Sequence, residues 1–303
     1  MNSPKVVLTG VGVVILWASA FPAIRVAAPE FGAAGLSFVR LLVAAAALAA
    51  LAPVLRVRMP HRGDLVLIVA TAFFGMTAYQ LLLNTGELTV PAGTSSIIVA
   101  GAPLVSVAIA VVAFKESLSV VRVVGSVVAI GGVILVCVAR SGVSVGATVW
   151  VVVGAMVVQG IYHPLSRILL RKYTSVEVAV YAMIAGTVMT IPFVPFGWHD
   201  ITSANGGAWL AAIYLGLLPS ALGFVLWGYA VARLPVVTST SLLYLVPPVA
   251  VLIAFVWLHE LPLLSELVGG VIVIIGVAAI SQGDGLLARV REINKSTPER
   301  ERK

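Results

Sequence analysis

Long apolar runs dominate the chain, in place of the alternation of apolar and polar positions that is typical of half-buried strands. Residues 41–55, for example, are apolar on every face of a helix, which favours a helix that crosses a bilayer. A transmembrane barrel would instead need segments of about ten residues with strict alternation. Charged residues, Gly and Pro divide the chain into ten such runs. The predicted spans are 6–26, 33–55, 65–88, 92–114, 118–138, 147–170, 176–196, 207–231, 236–258 and 262–281.

The second half of the chain repeats the first. A shift of 144 residues superimposes identical residues in two successive helices and their connection: Pro91/Pro235, Thr94/Thr238, Ser95/Ser239, Pro103/Pro247, Glu116/Glu260, Gly125/Gly269 and Gly132/Gly276. A shift of 142 pairs Trp17 with Gln159, Phe21 with His163, Pro22 with Pro164 and Arg25 with Arg167. Each half holds five predicted spans, and because five is odd, the second half enters the membrane in the opposite direction.

This pattern predicts an all-α polytopic membrane protein built as two five-helix inverted-topology repeats. The predicted units are residues 1–143, residues 144–284 and a basic tail, residues 285–303. The start of the first span resembles a signal peptide, with Ala18-Ser19-Ala20 as a possible cleavage site. Its apolar character continues to Val26, and its Pro-x-x-Arg pattern recurs in the second half, so we expect this span to be retained.

Composition and charge agree with a membrane protein and exclude an ordinary soluble enzyme. Hydrophobic residues make up 60% of the 303 residues and charged residues 10%, with a mean hydropathy of +1.11. The net charge of +7 is explained by the connections: without the tail, ten Lys and Arg fall on one side of the predicted topology and two, Arg25 and Arg140, on the other. Both termini are therefore predicted to be cytoplasmic, and no nucleic-acid partner is expected.

Catalysis finds little support in the sequence. No acidic residue lies near the centre of a predicted span, and neither a zinc-protease motif nor an ATP-binding Gly-x-x-x-x-Gly-Lys loop occurs. Cys137 is the single cysteine. We expect that the chain is not an enzyme and that it binds neither a cofactor nor a metal. The lack of a relay of carboxylates inside the spans favours a facilitative carrier or exchanger over a proton-driven pump.

The chain resembles the drug/metabolite transporter superfamily, in its ten-helix EamA-type family. The resemblance rests on Leu16-Trp17-Ala18-Ser19-Ala20-Phe21, on Phe38-Val39-Arg40-Leu41, and on the repeated Pro-x-x-Thr-Ser helix with a Pro twelve residues later and a helix-ending Glu. Within the family the chain is most similar to bacterial exporters of amino acids, including aromatic ones. The resemblance implies a bacterial inner-membrane location and a central cavity lined by the third, fourth, eighth and ninth helices, with the first and sixth gating it.

The candidate substrate-binding residues are the aromatic and amide side chains that share helix faces, together with the one histidine inside a span. They are Trp17, Phe21, Tyr79, Gln80, Asn84, Gln159, His163, Phe224, Trp227 and Tyr244. The alternative for the polar ones is hydrogen bonding between helices. Arg40 is a costly cation inside the second span, which either pairs structurally near the outer surface or holds a substrate carboxylate.

The sequence therefore predicts a carrier that exports neutral and aromatic amino acids by alternating access, in contact with the lipid bilayer, as a monomer or weak dimer. A drug or other metabolite exporter of the same fold is the nearest alternative. A channel or a membrane enzyme is the alternative from a different class. The paired glycines of the fifth and tenth spans are expected to serve close helix packing inside one chain.

Overall fold

The computed structural model describes residues 4–114, 120–141, 147–233 and 243–279, and apart from short turns and loops these residues are helical. The helices are labelled α1 (4–31), α2 (33–51), α3 (Leu65–Ala72, Phe73–Ala78 and Tyr79–Glu87), α4 (Ala92–Val99 and Ala102–Phe114), α5 (Val120–Ser141), α6 (Ala147–Leu169), α7 (Ser175–Thr190, Ile191–Phe193 and Val194–Ser203), α8 (Gly206–Leu215, Gly216–Leu222 and Gly223–Arg233), α9 (Val246–Leu258) and α10 (Leu264–Ala279).

The described helices are those of a polytopic membrane protein, as predicted. Five helical segments are long and apolar enough to cross a bilayer: Leu8–Leu51, Arg62–Glu87, Thr148–Leu169, Ser175–Ser203 and Gly206–Ala230. The apolar parts of α4, α5, α9 and α10 are shorter in the described residues. The number of ten membrane crossings therefore stays a prediction.

A single glycine connects α1 to α2, where the sequence predicted a loop of several residues. The segment Pro4–Leu51 is helical throughout except at Gly32, whose φ of 64° and ψ of 167° lie outside the helical region. Residues other than glycine rarely adopt this backbone conformation. A Cβ at this position would also lie 2.9 Å from Oδ2 of Asp200. The chain reverses here at one residue because that residue is glycine.

The helix α7 continues beyond its predicted end at residue 196. The predicted spans 176–196 and 207–231 leave residues 197–206 as a connection, but a helical turn at Ile191–Phe193 leads into a further helix, Val194–Ser203. Pro192 and Pro195 are the second residues of these two segments, in the first helical turn, where a proline is tolerated because its missing N–H would have no partner within the helix.

The helices that begin the two halves run in opposite directions. Near the end of α1, Arg25 donates to the backbone oxygen of Glu87, at the end of α3. Just beyond the end of α6, Lys172 pairs with Asp64, at the start of α3. Relative to α3, α1 is therefore parallel and α6 antiparallel, as an inverted-topology repeat requires.

The helices α5 and α10, which are related by the repeat, approach closely through their glycines. A Cβ on Gly132 would lie 2.7 Å from the backbone nitrogen of Val273, and a Cβ on Gly276 would lie 2.5 Å from that of Ala129. Backbone atoms at this distance leave no space for a side chain. The predicted close packing inside one chain is confirmed for these glycines.

Candidate functional site

The helices around the molecular centre are interrupted at positions that the repeat relates. In α3 a π-helical turn occupies Phe73–Ala78, and in α8 a π-helical turn occupies Gly216–Leu222, which the shift of 144 residues nearly superimposes. In α4 the helix is broken at residues 100–101, and a turn at residues 244–245 precedes α9. These interruptions thus form two repeat-related pairs.

Proline explains the breaks at α4 and α9. Pro103 and Pro247 each lie two residues beyond the turn, and a proline cannot donate to the carbonyl four residues earlier, with which its ring also clashes. Interrupted backbone is tolerated inside a membrane where it is enclosed by protein or lines a polar cavity. The π-helical turns contain Gly75 and Pro219, and such turns frequently occur at functional sites.

A cavity of about 70 Å³ lies between the halves, with these interruptions in its wall. Its volume has room for about five water molecules, at roughly 10 to 15 Å³ each. The wall combines α1, α2, α3, α4, α6, α8 and α9, and its residues are Trp17, Ala20, Phe21, Ile24, Arg40, Tyr79, Leu83, Ser96, Val99, Ala100, Ala102, Pro103, Gln159, His163, Phe224, Leu243, Val246 and Pro247. Seven of the eleven predicted site residues are among them.

The repeat-related positions of α1 and α6 meet at this cavity. Trp17 and Phe21 from α1 face Gln159 and His163 from α6, and the shift of 142 residues relates the two pairs. The resemblance implied that these two helices gate the cavity, whereas here they also contribute to its wall. Among these four residues, the two aromatic side chains come from the first half and the two polar ones from the second.

Aromatic rings form one side of the cavity. The ring of Trp17 lies 5.3 Å from that of Phe224 and 5.2 Å from that of Trp227, and its Nε1 donates to the backbone oxygen of Pro219 at 3.2 Å. Gly223 allows this approach, because a Cβ there would lie 2.9 Å from Nε1. Trp17 is therefore fixed by the π-helical turn of α8, and it presents an apolar surface to the cavity.

Polar atoms without a partner interrupt this apolar wall. Among the described residues, Oε1 of Gln159, Nε2 of His163 and NH1 of Arg40 have no hydrogen-bond partner, and all three side chains line the cavity. Buried polar groups are normally satisfied, and those that are not often serve a ligand or water. These atoms provide an acceptor, a nitrogen that accepts or donates according to its protonation, and a cationic donor.

Arg40 lies in the cavity wall. No described residue near the outer surface forms a salt bridge with it. Its side chain is 3% exposed, and its Nε donates to Oγ of Ser220, in the π-helical turn of α8, at 2.8 Å. The neutral hydroxyl orients the guanidinium without neutralising its charge. The guanidinium therefore faces the cavity, and the predicted contact with a substrate carboxylate stays a prediction.

Four predicted residues lie outside the cavity wall. Gln80 and Asn84 are fully buried in α3 and do not line the cavity, and Asn84 donates to Oγ of Ser37. Trp227 packs behind Trp17 and His163. Tyr244 donates its hydroxyl to the backbone oxygen of Val277 at 2.8 Å, which holds the turn before α9 against α10.

The sequence analysis missed several wall residues. Ser96, Pro103 and Pro247 line the cavity, and the two prolines were noted as repeat positions without being assigned to the site. Their recurrence next to a helix break was the available signal. Glu87 was placed at a helix end, where solvent exposure is usual, but it is fully buried.

Ion pairs connect the two halves at both ends of the cavity. At one end Arg25 pairs with Glu260 at 3.1 Å, and Glu260 also accepts from the backbone nitrogen of Ala92. At the other end Arg58 pairs with Glu177 at 2.7 Å, and Lys172 pairs with Asp64 at 2.6 Å. The two carboxylates hold the pKa values of the Arg58 guanidinium and the Lys172 ammonium above their usual range, through hydrogen bonding first and charge second.

Comparison with known proteins identifies the family. The model of the EamA-like transporter family matches residues 4–138 and, separately, residues 146–282. The chain belongs to this family. The chain is therefore a membrane transporter with two repeats, which confirms the resemblance and excludes the enzyme alternative.

Relatives of this EamA-like transporter carry transporter names. A protein of Streptantibioticus cattleyicolor named as a probable terminal-alkyne amino-acid exporter is 50% identical over 99% of this chain and 100% of its own length. An uncharacterized transporter of Bacillus subtilis is 30% identical over 86% of both chains. A solved crystal structure superimposes with a TM-score of 0.66 over 95% of this chain and 99% of its own, at 20% identity, which supports the fold alone.

Proposed function

We propose that this EamA-like transporter exports neutral amino acids with apolar side chains, aromatic ones included, by alternating access. The observation that carries the proposal is the 50% identity, over nearly the whole chain, with a protein named as a probable amino-acid exporter. The cavity between the halves is the substrate site in this proposal. Its wall combines an apolar aromatic side with a few polar atoms that have no partner in the described chain.

The chemistry of the wall suits a zwitterion with an apolar side chain. NH1 of Arg40 is a donor for the substrate carboxylate, and the amino-terminal ends of the helices after the breaks in α4 and α9 add partial positive charge. Oε1 of Gln159 is an acceptor for the substrate ammonium. Trp17, Phe21 and Phe224 pack against the side chain. Among the described residues, one arginine and no carboxylate line the cavity, so a second acidic group on the substrate would have no counter-charge there.

Transport by alternating access requires the cavity to enlarge and to open to each side in turn. Ligand pockets usually measure about 300 to 1,000 Å³, so the cavity of about 70 Å³ must widen before it holds an amino acid. The ion pairs between the halves stand at both ends and are the contacts that must separate in turn. The distribution of Lys and Arg supports a cytoplasmic location for both termini. In this proposal the carrier lies in a bacterial inner membrane, as the bacterial relatives suggest, and acts as a monomer or weak dimer.

Amino acids with a terminal-alkyne side chain are a second substrate candidate. Such a chain is apolar, linear and slimmer than an aromatic ring, which suits the small cavity volume. The name of the Streptantibioticus cattleyicolor relative favours this candidate. The two candidates share the zwitterionic end and differ only in how the aromatic side of the wall is used.

Efflux from cells tests the proposal. Cells that express the chain and are loaded with labelled leucine, phenylalanine, a terminal-alkyne amino acid or glutamate should release the neutral amino acids faster than cells without it, and glutamate no faster. Ala20→Phe places a ring in the cavity and should abolish the faster release of the neutral amino acids. Ala46→Phe, on an exposed part of α2, should leave it unchanged. Equal release of all four compounds, or release that survives Ala20→Phe at equal protein level, would contradict the proposal.

A further inference from the structure

Glu87 is a buried carboxylate that the proposed transport cycle does not yet use. It ends α3, it is 0% exposed, and neither of its carboxyl oxygens has a hydrogen-bond partner in the part of the chain that the structure describes. An ionisable group without partners inside a membrane protein is costly, and such groups commonly serve ion or proton pathways. Glu87 also differs from Glu260 and Glu177, which are both paired with arginine.

The charges that face Glu87 come from three elements. NH1 of Arg25, on α1, donates to the backbone oxygen of Glu87, and its Nε donates to Glu260 in the segment between α9 and α10. Arg40 of α2 and Tyr79 of α3 line the same cavity wall as Leu83, which lies one helical turn before Glu87. Residues 92–114 of α4 contain no titratable side chain.

On α6, Val152 packs beside Gly86, whereas Tyr162 packs beside Gly75. The titratable residues of α6 are Tyr162, His163 and Arg167, so they lie toward the opposite end of α3 from Glu87.

The two arginines differ in how far they are already engaged. Arg25 donates to the carboxylate of Glu260 and to the backbone oxygens of Glu87 and Leu88, at 3.1, 2.6 and 3.0 Å. Arg40 donates only to a neutral hydroxyl among the described residues, and its NH1 has no partner there. Of the two cations, Arg40 is therefore the less engaged, since no carboxylate among the described residues accepts a hydrogen bond from it.

Arg40 also connects Glu87 with the cavity. Arg40 itself lines the cavity, as does Leu83, which lies one helical turn before Glu87 on α3. Glu87 is therefore next to the cavity wall without forming part of it. A carboxylate that enters the cavity and binds Arg40 would share this cation with Glu87.

We propose that Glu87 is a proton-binding site that is linked to substrate binding through Arg40. In the absence of substrate, ionised Glu87 compensates the charge of Arg40. When the substrate carboxylate binds the guanidinium, it supplies that compensation, and a carboxylate oxygen of Glu87 binds one proton from the buffered solution. The charge around Arg40 is then unchanged. This inference rests on the proposed function, because it assigns the carboxylate of the transported amino acid to Arg40.

Linkage fixes the sign of the pH dependence. If substrate binding favours protonation of Glu87, then protonation of Glu87 favours substrate binding by the same factor. Affinity should rise as the pH falls. The alternative is a structural role, in which Glu87 is ionised at all times and only stabilises the end of α3 beside Arg25. That role predicts no proton uptake with substrate.

Infrared difference spectroscopy of the protein in liposomes tests the proton site without substrate. On acidification the wild type should gain the C=O band of a protonated carboxyl that is absent from Glu87→Gln and retained in Glu30→Gln, which removes an exposed carboxylate from the end of α1. Addition of phenylalanine labelled with ¹³C at its carboxyl should produce the same band at constant pH. The proposal would be overturned if acidification of the wild type produced no such band, or if the band persisted in Glu87→Gln.

Binding measurements test the link to substrate. The affinity of the wild type for phenylalanine should rise between high and low pH by about 5- to 150-fold, the usual range of coupling between two sites. Glu87→Gln should bind with the low-pH affinity at every pH, and phenylalanine amide, which lacks the carboxylate, should show no such dependence. Persistence of the dependence in Glu87→Gln would overturn the link. If no neutral amino acid binds at any pH, the proposed function fails, and the substrate-free titration still decides the proton site.

Discussion

Single side chains in this chain gain their roles from partners that are distant in sequence. Arg40 was recognisable from the sequence as a costly cation, but its orientation depends on Ser220, which lies 180 residues away. Trp17 likewise depends on Pro219 and Phe224. Residue types at helical spacing identified these positions. They did not distinguish Tyr79, which lines the cavity, from its neighbour Gln80, which is buried behind it.

Tyr79 provides the prediction at this scale. Tyr79→Ala removes an aromatic ring from the cavity wall, so the affinity for phenylalanine should fall about 2- to 10-fold, from the ~0.5 to 1.5 kcal/mol of a ring contact. The affinity for alanine should change less. Phe73→Ala, on the same helix but outside the cavity wall, is the matched control. Equal losses for phenylalanine and alanine, measured as the concentration giving half-maximal efflux, would argue against a side-chain contact.

At the scale of the helices, the sequence indicated some of the helix breaks but not others. Pro103 and Pro247 lie beside the breaks of α4 and α9, because proline cannot continue the hydrogen-bond pattern. The π-helical turn of α8 contains a similar signal in Pro219, but the turn of α3 contains no proline and depends on packing, with Tyr162 against Gly75. The kink at Gly32 required a backbone conformation that apolar periodicity does not encode.

The contact between α5 and α10 gives a prediction with an internal control. Gly132→Val forces a side chain against the backbone of Val273, and such overpacking typically costs about 1 to 3 kcal/mol of folding free energy. Gly131→Val meets no atom within 4 Å in the described chain, so it should be tolerated. Thermal denaturation of the purified variants should show a lower midpoint for Gly132→Val alone. Equal midpoints for the two variants would mean that the helices do not approach this closely.

The architecture of the whole molecule follows from duplication with inversion. It was more predictable from the sequence than the contacts of single side chains or the breaks in the helices. The lengths of the apolar runs set the number of predicted spans, and an odd number in each half makes the second half inverted. The burial of side chains where the two halves contact each other could not be predicted from the sequence. Glu87 is 62 residues from Arg25 and 173 from Glu260, and only their approach in the folded chain shows that a helix-end carboxylate is enclosed.

Membrane orientation gives the prediction for the whole molecule. Gly63 and Ser203 are exposed and lie at opposite ends of the helices, near the start of α3 and at the end of α7. In a chain without Cys137, a cysteine at position 63 should react only with reagent on the cytoplasmic side, and one at position 203 only with external reagent. Reaction of both from the same side would be incompatible with the inverted repeat.

Counterflow in liposomes tests the central claim most directly. Liposomes that contain the purified chain and are loaded with unlabelled phenylalanine should accumulate external labelled phenylalanine transiently and saturably, and unlabelled leucine inside should support the same exchange. Ala20→Phe should abolish it, because the added ring fills the cavity. Flux that does not saturate and shows no counterflow, or faster exchange of glutamate than of phenylalanine and leucine, would contradict an alternating-access carrier for neutral amino acids.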